Sequence, residues 1–155
     1  MKVQDVMTKA VGTCAPNEGA NVAAGIMREF DCGIVPVVEE HRVVGVVTDR
    51  DLCLAALEQG KALHEIEVRS AMSGDVLTCA PTDTIERAEE TLRAGKVRRL
   101  PVVADGALVG MISLDDIALA VVRAEGEQLL AGTPGETHLA HTLAAIYRRR
   151  IIVQG

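Results

Sequence analysis

The sequence predicts an α/β (α+β) fold in which two βαββα units are related by a pseudo-two-fold axis, their sheets packed together, with a helix at the C-terminus. Three observations carry this expectation. The 155-residue chain repeats itself, without a gap, at an offset of 65 positions. Short β-branched runs alternate with stretches of helical periodicity. Hydrophobic residues reach 48% while aromatics are only 1%, so the core must be built from Val, Ile, Leu, Ala and Met, a mixture that suits buried strands and small-residue helices.

The repeat is direct. Thr13-Cys14-Ala15-Pro16 returns as Thr78-Cys79-Ala80-Pro81, Pro36-Val37-Val38 as Pro101-Val102-Val103, Val44-Gly45 as Val109-Gly110, and Leu54-Ala55 as Leu119-Ala120. Val3, Met7 and Asp51 return as Val68, Met72 and Asp116. In each copy the pattern predicts a first strand (Val11 to Ala15; Val76 to Ala80), stopped by a proline that has no N–H for a ladder. A turn at Asn17 to Gly19 then leads to a helix capped at or near Asn21 and running to about Glu29, with Val22, Ile26, Met27 and Phe30 as its apolar stripe. Its counterpart runs from Ile85 to Ala94. Ile34 to Val38 and Val43 to Val47 read as a hairpin closed by Glu39 to Arg42, and Leu100 to Val103 with Ala107 to Ile112 as its copy. Helices from Thr48 to about Leu57 and from Leu114 to Arg123 complete the units. A unit of about 60 residues buries too little surface to stand well alone, so residues 1–62 and 63–123 are expected to share a core, with residues 124–155 as a partly helical tail.

The net charge of −6 argues against a broad nucleic-acid surface, which needs clustered Lys and Arg. No apolar run approaches the roughly 20 residues of a membrane helix, and Met1 to Asp5 lacks the apolar stretch of a secretory signal; a cytoplasmic location is the expectation. Cys14, Cys32, Cys53 and Cys79 form no C-x-x-C pair and read as free, small hydrophobes. His41 and His64 read as surface residues. His138 and His141 lie three apart on the tail helix but have no third ligand nearby, so no metal site is expected. No triad, nucleophile elbow or Walker loop is present, and the expectation is that the chain is not an enzyme and requires no cofactor.

Met7-Thr8, Pro36-Val37-Val38 and Val44-Gly45-Val46-Val47-Thr48-Asp49-Arg50-Asp51, with the second ending Gly110-Met111-Ile112-Ser113-Leu114-Asp115-Asp116, resemble the cystathionine-β-synthase (CBS) domain over residues 1 to 123. The resemblance implies a tandem pair, or Bateman module, that holds AMP, ADP, ATP or another adenosine derivative in clefts between its units. It implies that Asp51 and Asp116 bond ribose hydroxyls, beside Thr48 and Ser113. A carboxylate suits a vicinal diol because it accepts two hydrogen bonds, and a helix N-terminus with free N–H groups favours an anion. The same spacing also fits an N-terminal capping box with Asp in the third position, and the two roles are compatible.

The copies differ before the repeated proline, where Arg99 stands in one and Ile34 in the other. The family places a basic residue there against phosphate, and the planar fork of Arg suits it. The stronger, phosphate-competent cleft is therefore expected around Thr48, Asp51, Val76, Leu77, Thr78, Arg98, Arg99 and Pro101. A weaker one is expected around Val11, Thr13, Ile34, Pro36, Ser113 and Asp116. The leading expectation is a regulatory, homodimeric nucleotide sensor that signals to an unidentified protein by conformational change. The rival is a ligand-free dimerisation module, and a third reading is a redox or metal sensor. The tail face of Leu139, Leu143, Ile146 and Tyr147 is expected to pack against the pair or a second subunit.

Overall fold

In the computed structural model, residues 1–125 and Thr142 are described. The element order is α1 (Val3–Val6), α2 (Ala20–Glu29), β1 (Ile34–Glu39), β2 (Arg42–Thr48), α3 (Asp49–Gln59), a 3-10 turn (Leu63–Glu65), α4 (Val68–Ala71), α5 (Ile85–Gly95), β3 (Arg99–Ala104), β4 (Ala107–Ser113) and α6 (Leu114–Glu125). The hairpins and long helices fall where the repeat placed them. The expected tail helix and its two histidines lie outside the described residues.

Each hairpin is antiparallel, and both carry a bulge at the same place, between Val37 and Val38 and between Val102 and Val103. The turns are two residues long with positive φ at both, Glu40 and His41 in one and Asp105 and Gly106 in the other, the twist that best matches a right-handed hairpin. The hairpins meet at Arg42 and Ala107 to give one four-stranded sheet, order β1-β2-β4-β3.

Two expectations need correcting. The first strand of each unit is reduced to a single parallel bridge, Cys14 with Val37 and Cys79 with Val102. Cys14 N–H donates to the Pro36 carbonyl and Val38 N–H to the Cys14 carbonyl. One residue later the chain already turns, with Ala15 N–H on the Glu18 carboxylate, and Pro16 cannot donate. Second, α2 is capped by Gly19, with no side-chain cap bond, and Asn21 falls inside its first turn. Ala20 N–H instead donates to the Ile66 carbonyl, so a backbone group from the linker does the work of a cap.

That contact belongs to a wider exchange. The first residues of each copy fold onto the other copy's core. Val3, fully buried, packs with Cys79, Ile85, Leu92, Leu100 and Ile112. Its equivalent Val68, also fully buried, packs with Cys14, Ala20, Val35, Val47 and Leu52. Burial of each valine is worth about 2 kcal/mol. The short helices α1 and α4 carry these anchors, and the segments behind them pair with the inner strands. Thr8 and Met111 exchange both backbone hydrogen bonds, and so do Ser73 and Val46.

The pairing needs bare backbone opposite it. A Cβ on Gly110 would lie 2.8 Å from Met7 Sδ and 2.9 Å from the Thr8 carbonyl oxygen, and one on Gly45 2.6 Å from Met72 Sδ and 3.0 Å from the Ser73 carbonyl oxygen. The methionine ends can shift, but the two carbonyls belong to the bridges themselves. Gly110→Ala or Gly45→Ala should therefore cost about 1–3 kcal/mol, lowering the thermal midpoint by roughly 3–9 °C. A melt monitored by circular dichroism that leaves either midpoint unchanged would contradict this packing.

Candidate functional site

Both motifs at the ends of β2 and β4 close the same hydrogen-bonded ring. Thr48 N–H and Oγ1–H donate to Asp51 Oδ2 at 2.8 and 2.7 Å, while Asp51 N–H donates back to Thr48 Oγ1 at 3.2 Å. Ser113 N–H and Oγ–H donate to Asp116 Oδ2 at 2.8 and 2.6 Å, and Asp116 N–H returns to Ser113 Oγ at 3.1 Å. Each is a capping box in which Asp replaces the usual Glu. Each ring uses only Oδ2 of its carboxylate. The other oxygen is left for something else, and here the copies part.

Asp51 borders a cavity of ≈450 Å³ between the units, within the size range of small-molecule sites. Among the described residues Asp51 Oδ1 has no hydrogen-bond partner. Asp116 Oδ1 is already engaged, because Thr8 Oγ1–H donates to it at 3.4 Å from the exchanged N-terminal segment. The equivalent of Thr8 in the first cleft is Ser73, which lines the cavity and makes no such bond. Burial holds the Asp116 carboxyl above its ordinary value of 3.8, against the lowering effect of its Ser113 and Thr8 hydrogen bonds.

Of the residues assigned to the stronger cleft, Thr48, Asp51, Val76, Leu77, Arg98, Arg99 and Pro101 line this one cavity. Thr78 does not. Ile34, expected in the weaker cleft, lines the cavity too, because β1 pairs it in register with Thr48. Ile34 and Arg99 are equivalents in the repeat, and their meeting in one cavity places both beside the pseudo-two-fold axis. Val11 and Thr13 border a different cavity of ≈260 Å³ with Lys9, His41 and Gly110, near the hairpin turns. Ser113 and Asp116 line neither cavity, and Pro36 is fully buried in β1. The weaker set is therefore not gathered around one space.

Two further findings alter the charge picture. The N-terminus of α3 offers no free backbone donor in its first turn: Asp49 N–H donates to the Gly33 carbonyl, Arg50 N–H to Asp49 Oδ1, and Asp51 N–H to Thr48. The expected anion cradle at this helix end is thus already filled. Arg99 is not free either, since its Nη2 lies 3.7 Å from Asp115 Oδ2 with both side chains largely shielded. The remaining cations of the cavity, Arg50, Lys96 and Arg98, are exposed at its mouth.

Ser73, Asp75, Lys96 and Gly95 were missed from the sequence. The first two arrive on the exchanged segment, which no local pattern announces. Gly95 did leave a signal: at equivalent positions the first copy has Gly12 and Phe30, the second Leu77 and Gly95. A Cβ on Gly95 would overlap Leu77 Cδ1, and one on Gly12 would overlap Ile26 and crowd Phe30. Bulk has moved from one partner to the other, so the equivalent contacts in the two copies are filled from opposite sides.

The cysteines are free. Burial pushes the Cys14 and Cys79 thiols up to about 11, which makes them poor nucleophiles. Cys32 donates to the Ile34 carbonyl at 3.3 Å and is also raised, chiefly by burial. Among the described residues no group of three His, Cys, Asp or Glu side chains is placed to hold a metal, and no helix is long and apolar enough to cross a membrane.

A family model for the CBS domain matches residues 3–58 and again residues 67–123. The CBS domain-containing protein YhcV of Bacillus subtilis (strain 168) is 35% identical over 117 residues, 76% of this chain and 83% of that protein. The solved CBS domain pair of protein MJ0100, in complex with 5′-methylthioadenosine and S-adenosyl-L-methionine, matches with a TM-score of 0.68 and 25% identity over 83% of this chain and 98% of its own. CBSX2 in complex with AMP matches with a TM-score of 0.69 and 28% identity over 80% and 98%.

The raised Asp116 carboxyl makes a prediction with a definite sign. The folded protein holds this proton more tightly than the unfolded chain, so its contribution to stability falls as pH rises from 3.8 through the raised folded-state value. Asp116→Asn keeps an acceptor for Ser113 but cannot ionise. It should gain stability relative to the natural protein as pH rises through that window, and hold the gain at neutral pH. Urea melts at pH 4 and pH 7 measure this; a stability difference that does not change between them would refute it.

Proposed function

The chain belongs to the CBS domain family as a tandem pair of its units, and from that premise we propose that it is a non-catalytic regulatory module that binds an adenosine derivative, AMP, ADP or ATP among them, in the cavity around Asp51. The observation that carries the reading is the division of labour within that carboxylate. Oδ2 is spent on the cap, and Oδ1 of this half-buried, cavity-lining residue has no hydrogen-bond partner among the described residues. A sugar diol supplies two O–H donors for such an oxygen. Apolar walls from Ile34, Val76, Leu77 and Val97 suit the faces of a purine. Thr48 and Arg99 border the same space, Arg99 sharing its charge with Asp115. The bound states of MJ0100 and CBSX2 support an adenosine-based ligand for this architecture.

The second motif is proposed as the weaker site, since its second oxygen already accepts from Thr8 and burial holds its carboxyl above the ordinary value. The regulatory step follows from the lining. The cavity draws residues from β1, β2 and α3 of one unit and from β3 and the end of α5 of the other. A ligand that touches both stabilises the relative arrangement in which it fits, and a partner protein or second subunit would read that arrangement.

A thermal-shift panel of adenosine, AMP, ADP, ATP, 5′-methylthioadenosine and S-adenosyl-L-methionine tests this. Ligand at about 100 times its dissociation constant should stabilise by about 2.7 kcal/mol, a rise of roughly 5–10 °C. Asp51→Asn retains an acceptor for the cap but turns the second oxygen into an amide donor. It should keep the unliganded midpoint within a few degrees and abolish most of the rise. No response of the natural protein to any of the six favours the ligand-free dimerisation module; an intact response in Asp51→Asn removes the carboxylate from the site.

A further inference from the structure

Helix α5 ends in a way that its local chemistry does not favour. Val97 N–H donates to the Leu92 carbonyl and Lys96 N–H to the Arg93 carbonyl, the paired bonds of a Schellman ending, which puts the residue after the cap in the left-handed conformation. That residue is Lys96, with φ 52 and ψ 35. Glycine is the usual occupant there, and Asn or Asp the usual exceptions. The other left-handed helix ends obey the rule, whereas the hairpin turn at Glu40 and His41 does not. Helix α3 closes on Gly60 at φ 61, and the equivalent of Lys96 in the first copy is Asp31 at φ 46.

A glycine stands one residue away, yet it serves another need. Gly95 is required for the close approach of Leu77. Lysine thus occupies a strained position without being the residue the backbone would choose. Its side chain has no ion pair or hydrogen bond among the described residues, and it lines the mouth of the Asp51 cavity beside Arg98. Strain that persists at a cavity edge, on a charged residue with no structural partner, points to a ligand contact. The filled N-terminus of α3 and the engaged Arg99 leave this rim as the place where a negative charge would find free cations.

We propose that Lys96 is a specificity-determining residue of the cavity, holding the anionic phosphate end of the ligand, so that the site prefers a phosphorylated adenosine derivative over an uncharged one. The assignment rests on the nucleotide reading above and deepens it. A helix C-terminus also favours a cation for its own sake, and that purely structural role predicts a different outcome.

The full chain is tested as the natural protein and as Lys96→Gly, Lys96→Asn and Lys96→Arg, by calorimetric titration with ATP, AMP and adenosine and by unliganded thermal melts. Gly and Asn both accept the left-handed conformation, so neither should lower the unliganded midpoint. Both should weaken ATP about tenfold or more, the loss of one charge-assisted contact, weaken AMP less or equally, and leave adenosine unchanged. Lys96→Arg should retain most of the ATP affinity. If ATP binds Lys96→Gly as it binds the natural protein, or if adenosine is lost in step with ATP, the assignment is overturned. A lower midpoint in both variants with unchanged ligand affinities would make Lys96 a helix-end cation and nothing more. Should the natural protein bind neither ATP nor adenosine, it is the nucleotide reading itself that falls.

Discussion

The reciprocal exchange of short segments between the two copies is the constraint on which the rest of the structure depends. Val3 fills a hole in the second core and Val68 the equivalent hole in the first, so neither copy completes its interior without the other. The paired bridges at Thr8–Met111 and Ser73–Val46 then fix each exchanged segment against an inner strand. The cavity around Asp51 follows from this. Its floor is the end of β2, and part of its wall is the chain leaving Ser73, delivered there because Val68 is anchored five residues earlier. A glycine opposite each bridge is the sequence-level condition for the approach.

A repeat of this kind starts symmetric, and the differences between the copies are therefore informative. The capping rings are superimposable in chemistry: Thr48 with Asp51, Ser113 with Asp116. Thr8 closes onto Asp116 Oδ1, whereas Ser73 leaves Asp51 Oδ1 open. The walls have been traded as well, with Leu77 against Gly95 on one side and Gly12 against Phe30 on the other. Neither trade disturbs the fold, because each pairs a large residue with a small one. Both alter what the space between the units can hold.

Much of the fold was legible because the 65-residue offset constrains every assignment twice. A hairpin read in one copy had to exist in the other, and the repeated Pro-Val-Val strand followed by Gly45 to Thr48 or Gly110 to Ser113 located both motifs. The first strands were over-read. Val11 to Ala15 has the apolar content of a strand, but a run flanked by Pro16 and by the Glu18 turn can offer only Cys14 to its neighbour. The exchanged helices were not legible at all, since four residues show no period and their role is decided by the core of the other copy. Within the site, Asp51 and Thr48 could be read from their motif. Ile34 could not be allotted correctly, because its side follows from hairpin register and from the axis. The occupied donors of α3 were equally hidden: the Gly33 carbonyl that satisfies Asp49 is contributed by another element.

On the proposed reading, these features explain how one carboxylate can cap a helix and still be available for recognition. A half-buried Asp with both oxygens bonded serves structure first, and partial burial holds its carboxyl above the ordinary value, as at Asp116. An Asp with one oxygen in the cap and one at a cavity wall has its geometry fixed by the first bond and its chemistry exposed by the second. The preorganisation costs nothing further at binding, because the cap has already ordered the side chain. The difference between a site and a strut is then set by the neighbour delivered through the exchange, a threonine that reaches the second oxygen or a serine that does not. Duplication supplied two capping carboxylates, and the divergence of the exchanged segment leaves the second oxygen of only one of them without a partner among the described residues.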